Sequence, residues 1–330
     1  MLKFLIAGAA AALMTTASLA ADFKPAVIFD MGGKFDKSFN EGVWNGVKKF
    51  TKETGVKVME FEVTNEAQRE QAMRRMVSRG ATIVLGVGFA QADAIDAVAK
   101  ANPKVQFAII DVSWLNQPNL RQYAFREDEG SYLVGVAAAK ASKTGKVGFV
   151  GGMDVPLIRK FACGYVQGAK AAGASAVLQN MTGSTPSAWN DPNKGSELAR
   201  AQMDRGADVV YHAAGGTGLG VIRAVADAGK LAIGVDSNQN GIAPGSVLTS
   251  MLKRVDVAAY QTFKDAKDGK FTPGVVSLGV KEGGIDWAID KHNKPLLTKE
   301  ITAAVDEAKA GILSGKIKVH NYESDSKCPF

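Results

Sequence analysis

Short β-rich runs alternate with helical stretches over almost the whole chain, and this alternation limits the fold more than any other feature. The runs Ala26–Asp30, Val56–Val63, Ile83–Val87, Val105–Asp111, Lys146–Val150, Ala176–Met181, Asp208–Ala213, Leu231–Asp236 and Ser246–Met251 read as strands. Between them fall helical patterns at Phe39–Thr54, Glu66–Arg79, Ala90–Ala101, Gly130–Lys143, Pro156–Gly173, Gly195–Arg205, Gly218–Gly229 and Asp256–Gly269. Phe39, Val43, Val47 and Phe50 give the first helix an apolar stripe near the 3.6-residue period. Such alternation predicts an α/β protein built on doubly wound parallel sheets with helices on both faces. Nine strands crowd a single sheet, and about 310 residues beyond a leader exceed what one core usually supports. The chain therefore divides into two lobes. We expect residues 22–127 plus about 251–280 in the first and 128–250 plus about 281–330 in the second. The extended stretch Val275–Ile285 is expected as a further crossover, and Thr298–Ser314 as a final amphipathic helix.

Four strands end at or near an aspartate: Asp30, Asp111, Asp154 and Asp236. Open parallel sheets bind ligands at the carboxyl ends of their strands, so these acids are candidates for one shared cleft. Each is also a candidate helix cap, and the sequence leaves both readings open. After Asp30 comes Met-Gly-Gly-Lys-Phe-Asp-Lys-Ser-Phe-Asn40, a tight turn and a polar helix mouth carrying Asp36, Ser38, Phe39 and Asn40. These residues suit recognition of a planar, polyhydroxylated molecule better than bond-breaking chemistry. Trp189, in a polar loop before a helix, is a stacking candidate. Phe39 is its counterpart from the other lobe, although it also heads an apolar stripe and fits a core role. Lys253 and Arg254 follow a strand and offer donors to hydroxyl or ring oxygens, or else a solvated helix start.

Catalytic equipment is sparse. His212, His292 and His320 are scattered without metal-ligand spacing. Neither a nucleophile elbow nor a Walker loop occurs, and Asp30 and Asp36 lack the dense acidic stretch of a metal-dependent nucleoside hydrolase. Gly215-Gly-Thr-Gly-Leu-Gly220 follows a strand and opens a helix as a dinucleotide loop would. Its spacing fails, because the third glycine position is Val221. No metal and no cofactor is expected. A nucleoside-acting enzyme or a dinucleotide oxidoreductase stays as the alternative from another class.

Residues 1–20 read as a secretory signal peptide: Lys3, an apolar stretch Phe4–Met14, and Ser18-Leu-Ala20 before the cleavage point. With no cysteine there, no lipid anchor is expected, and a periplasmic location follows. The 40 Lys+Arg against 33 Asp+Glu leave +6 once Lys3 is removed. This charge is dispersed, which argues against nucleic acid as a partner. Cys163 and Cys328 are the only cysteines. An oxidising compartment permits a bridge between them, closing a loop whose entropy is on the order of 5 kcal/mol. A buried thiol and an incidental one is the other reading.

Taken in order, Phe29-Asp-Met-Gly-Gly-Lys-Phe-Asp-Lys-Ser-Phe-Asn40, Ile158-Arg-Lys-Phe161, Trp189-Asn-Asp-Pro-Asn-Lys-Gly195, Gly234-Val-Asp-Ser-Asn-Gln239 and Leu248–Asp256 resemble one family. It is the basic membrane protein family of ABC-transporter substrate-binding proteins, in its purine-nucleoside-binding branch. The resemblance covers nearly the whole chain. It implies a type I periplasmic-binding fold, with two lobes joined by a hinge of three crossovers and a ligand between them. It further implies that Phe39 and Trp189 sandwich a purine base, and that Asp30 and Asn40 read its edge. Asp111, Asp236 and Lys253 would hold the ribose hydroxyls, with backbone near Gly216 lining the pocket. Guanosine, inosine or adenosine would be the ligand of a monomeric receptor, and an inner-membrane permease with its ATPase the partner. A free base or simple sugar in the same fold is the neighbouring alternative. Trp189 stands where relatives often carry Phe, many relatives are lipoproteins, and the Cys328 tail is outside the recognised pattern.

Overall fold

A computed structural model describes residues 23–330; the signal peptide expected over residues 1–20 lies outside the described residues. The first half runs β1 (Pro25–Phe29), α1 (Phe39–Thr54), β2 (Met59–Glu62), α2 (Gln68–Ser78), β3 (Ile83–Gly86), α3 (Ala92–Ala101), β4 (Gln106–Ile110) and β5 (Leu120–Phe125). Then follow α4 (Glu127–Ala141), β6 (Lys146–Met153), α5 (Pro156–Ala171), β7 (Ala176–Gly183), α6 (Pro192–Asp204), β8 (Val209–Ala213), α7 (Gly218–Asp227), β9 (Leu231–Asp236) and β10 (Val247–Lys253). The chain closes with α8 (Val255–Lys267), β11 (Gly274–Leu278), β12 (Ile285–Trp287) and α9 (Lys299–Leu313).

Two six-stranded sheets result, ordered β11-β5-β4-β3-β1-β2 and β12-β10-β9-β8-β6-β7. The second repeats the order of the first strand for strand. Every pairing is parallel except that of β12 with β10. β1 and β3 are buried throughout, as strands covered by helices on both faces must be. One apolar core runs continuously through both lobes, and a separate core closes the outer face of each sheet. The chain passes from the first sheet to the second after β5, returns after β10, and crosses again between β11 and β12. These are three crossovers, and the return begins after Lys253.

Three strands escaped the sequence reading. β5 carries Arg121 and Gln122, which look like loop residues yet are buried. Their polar atoms are matched: Arg121 donates to Asp265 at 2.7 Å and to the Thr272 carbonyl at 2.8 Å, and Gln122 exchanges hydrogen bonds with Leu115. The glycine-bearing stretch expected as a crossover does cross between the sheets, running from β11 of the first to the start of β12 of the second. Helix α4 also begins three residues early, at Glu127, so that three acids occupy its first turn, where the helix dipole favours them.

Within the second lobe α4 packs on α5, where glycines let the helix backbones meet. A Cβ on Gly168 would lie 2.1 Å from the Tyr132 carbonyl oxygen. Gly168→Ala removes a poor helix former, so propensity alone predicts stabilisation by about 1 kcal/mol. The close approach predicts the opposite sign, a loss of about 1–3 kcal/mol. Urea unfolding followed by circular dichroism decides between the two.

Candidate functional site

Because β1 and β6 sit where strand order reverses in their sheets, the strand ends around them leave a crevice. A cavity lined by residues of both lobes occupies it. Asp30 closes β1, Gly88 and Phe89 follow β3, and Asp111 follows β4. From the second sheet come Ala213 at the end of β8 and Gly215 after it, Val235 and Asp236 of β9, and Lys253 of β10. Phe39 and Asn40 enter from the start of α1, Phe161 from α5, and Trp189 from the turn before α6.

The structure thus brings together seven of the eight residues the sequence singled out for a ligand: Asp30, Phe39, Asn40, Asp111, Trp189, Asp236 and Lys253. Gly216 is displaced. Its neighbour Gly215 is the glycine on the cleft wall, while a Cβ on Gly216 would face the Asn190 side chain and the Trp189 carbonyl. Asp154 leaves the acid set because Arg159 holds both of its oxygens at 2.7 Å. Arg254 pairs with Asp256 outside the lining. The glycines of the dinucleotide-like loop serve packing: a Cβ on Gly218 would strike the His212 ring, and one on Gly220 the Pro192 carbonyl. His212 is buried and hydrogen-bonded to Gln239, while His320 sits with Asp325 and Lys327 in the tail. Cys163 and Cys328 form a disulfide, with Cα atoms 5.5 Å apart.

Lys253 is the electrostatic centre. Its ammonium is 2.7 Å from Asp111 Oδ1 and 2.8 Å from Glu127 Oε1, and its side chain is 2% exposed. Rings of Phe39, Phe125 and Phe161 surround it with centroids 5.1–5.6 Å away. Burial alone would favour the neutral amine, but Asp111, Glu127 and Asp236 outweigh it and hold the lysine above its ordinary range. The acids divide. Glu127 lies between two ammoniums, Lys253 and Lys160, and they pull its carboxyl below the ordinary value despite burial. Asp111 and Asp236 are pushed up to about 6, chiefly by burial, and so is Asp36.

Asp111 and Asp236 stand at the ends of matching strands of the two sheets and share an uncommon backbone, with φ of 69° and 61°. Outside glycine such angles are rare and concentrate at functional sites. Each acid commits one oxygen to the protein: Asp111 Oδ1 to Lys253, Asp236 Oδ2 to the Ser38 hydroxyl, which donates at 2.6 Å. Asp30 gives Oδ1 to Arg69, at 3.3 Å from two of its nitrogens. Asp36 does not face a ligand with its oxygens. It accepts from the backbone N–H groups of Ser38, Asn40 and Glu41 and so builds the mouth of α1. Asn40 donates to the Gly33 carbonyl at 3.2 Å, while its buried Oδ1 has no partner among the described residues. Trp189 rests on small residues; a Cβ on Gly152 would come within 2.2 Å of its indole.

The two lobes also touch beside the cleft. Ser237 donates to the Ser38 carbonyl at 2.7 Å and Gln239 to the Lys37 carbonyl at 3.0 Å. Arg69, Glu127 and Lys160 went unread in the sequence. The quoted stretch Ile158–Phe161 contained Lys160, but nothing marked its partner Glu127, and no local signal marks Arg69.

Two α/β lobes that hold a polar, aromatic-walled crevice between their strand ends define a solute-binding receptor of the periplasmic-binding type. A solved solute-binding protein of an ABC transporter system from Aeropyrum pernix K1 superposes with a TM-score of 0.84 at 29% identity, over 91% of this chain and 94% of that one. The chain belongs to the Bmp family: the family model described as ABC transporter substrate-binding protein PnrA-like matches residues 23–323. It is 35% identical to the ABC transporter nucleoside-binding protein BmpA of Lactococcus lactis subsp. cremoris, over 92% of this chain and 91% of that protein. It is 32% identical to basic membrane protein A of Borreliella afzelii, over 92% and 94%. The protein is therefore a substrate-binding component of an ABC transporter.

The raised acids give a stability test. Asp236 holds its proton up to about 6 in the folded chain, against an ordinary value of 3.8. Between these values the folded state binds more protons than the unfolded one, so this group's contribution to stability falls as pH rises through that window. Asp236→Asn removes the buried charge and keeps an acceptor for Ser38. It should stabilise the ligand-free protein at pH 7 by on the order of 1 kcal/mol, with the gain shrinking towards pH 4. Thermal melts of both proteins across pH 4–8 check this.

Proposed function

We propose that this protein captures a purine nucleoside (guanosine, inosine or adenosine) between its lobes and delivers it to an inner-membrane ABC permease. The observation that carries the reading is the division of labour along one cleft. Phe39 of the first lobe and Trp189 of the second supply aromatic faces, while buried ionised groups surround Lys253 on the floor. A planar base gains about 1–3 kcal/mol from each such aromatic contact. Asn40 offers a buried acceptor without a partner, and Asp30 a carboxylate, to the N–H groups of a purine edge. Asp111 and Asp236 each keep an oxygen with no bond to another described residue, which suits paired sugar hydroxyls, and Lys253 has an N–H left to donate. The relative from Lactococcus, named as nucleoside-binding, supports the same ligand class.

Ligand contacts from both lobes favour the closed arrangement over an open one, so binding shifts that equilibrium. The lobes move as the units read from the sequence, residues 22–127 plus about 251–280 against 128–250 plus about 281–330, about the three crossovers. A monomer in the periplasm completes the reading. Substrate-binding proteins of ABC transporters are not enzymes, and the cleft asks nothing of its ligand beyond binding.

Calorimetry on ligand-stripped protein tests the proposal. At least one of guanosine, inosine and adenosine binds, the matching free base binds more weakly, and no base is released on incubation. Asp236→Ala lowers nucleoside affinity by about 100-fold, in line with loss of a buried hydrogen-bonding charge, and leaves the free base almost unchanged. Absence of binding to all three nucleosides sinks the assignment. Equal loss of base and nucleoside in the variant would place the sugar elsewhere.

A further inference from the structure

Beneath the ligand cleft, charges alternate from the site to the C-terminal tail. Asp111 pairs with Lys253, Lys253 with Glu127, Glu127 with Lys160, and Lys160 with Glu323, each step between 2.7 and 2.9 Å. Glu127 bridges the two ammoniums with one oxygen each. Lys160 uses all three of its N–H groups, on Glu127, on Glu323 and on the Phe125 carbonyl at 2.8 Å. Both lysines are almost fully buried. Ionic interactions among the buried members are weakly screened, and Glu323, its side chain 36% exposed, is the solvent-facing end of the row.

Glu323 reaches this row because the tail is strapped to α5 at three places on one helical face. His320 receives its place from Gln167, whose Oε1 accepts the His320 backbone N–H at 2.9 Å. Glu323 pairs with Lys160, and Cys328 is bonded to Cys163. Positions 160, 163 and 167 recur at three- and four-residue intervals, one stripe of a helix. The family match ends at residue 323, so the cysteine end of this strap lies beyond the shared pattern.

We propose that the C-terminal strap is a positioning element for the binding site: Glu323, held by the Cys163–Cys328 bond, satisfies Lys160 so that Glu127 remains shared with Lys253. Without Glu323, Lys160 draws Glu127 toward itself, and Lys253 shifts onto Asp111 and away from the place where it meets a ligand hydroxyl. Glu323 never touches the ligand and acts through two lysines. As far as it concerns affinity, the proposal rests on the nucleoside reading of the cleft; the lysine geometry does not.

The test therefore has a readout that needs no ligand. In protein labelled with ¹⁵N at lysine Nζ, the Lys253 ammonium signal is assigned by its disappearance in Lys253→Met. Glu323→Gln should move that signal and weaken nucleoside binding about three- to tenfold, the range expected for mutations along a coupled network. Glu323→Asp should restore both, and Cys163→Ser/Cys328→Ser, which frees the strap but keeps Glu323, should reproduce the shift in part. A Lys253 signal unchanged in both Glu323→Gln and the double serine variant overturns the proposal. A signal that moves in protein binding no nucleoside supports the strap and contradicts only the ligand assignment. Should Glu323→Gln fail to fold, the double serine variant carries the decision by the same criterion.

Discussion

A lysine ammonium placed in the interior can stay charged only if carboxylates are delivered to it, and Lys253 sets that requirement for the whole molecule. Removing a charge from water costs several kcal/mol, and good geometry with compensating partners must offset it. The partners come from far apart in sequence: Asp111 from the end of β4, Glu127 from the first turn of α4, and Asp236 from the end of β9. β4 belongs to the first sheet and β9 to the second, and α4 follows the crossing from one to the other. Satisfying one ammonium therefore fixes how the two lobes meet at the cleft floor. The aromatic rings of Phe39, Phe125 and Phe161 add attraction for the cation and exclude water from it.

The same arrangement carries strain that folding alone does not need. Asp111 and Asp236 hold left-handed backbone angles, and burial raises both carboxyls to about 6. More acid surrounds Lys253 than one cation can neutralise, since Asp111, Glu127 and Asp236 all bear on it. Stored cost of this kind is the usual mark of a site prepared for something outside the chain. A ligand bearing hydroxyl donors would relieve it by supplying hydrogen bonds to the spare carboxylate oxygens. Stability in the empty protein and affinity in the loaded one are then drawn from the same groups in opposite directions.

Much of this was legible in the sequence, and the exceptions share a cause. Alternating apolar runs and helical stripes report burial against neighbours, so they located nine of the strands and the helices between them. Strand-end aspartates and the turn after Asp30 marked the crevice, because a parallel sheet exposes its carboxyl ends there. What stayed hidden was polar burial. Arg121 and Gln122 disguised β5 as a loop, since only distant partners such as Asp265 make their burial tolerable. Glu127 and Lys160 carry no local sign of their burial for the same reason, and Arg69 reaches Asp30 from a helix with no local sign of its target. The displacement of Gly216 by Gly215 is a different matter. One residue of a tight turn decides which glycine lines the cleft, and spacing alone does not resolve it.

The most direct measurement is a crystal structure of the complex with whichever of the three nucleosides binds most tightly. The account predicts the base between Phe39 and Trp189, its edge toward Asp30 and Asn40, and the sugar hydroxyls within hydrogen-bond distance of Asp111, Asp236 and Lys253. A ligand bound with its sugar away from Lys253, or outside the cleft between the sheets, would contradict it.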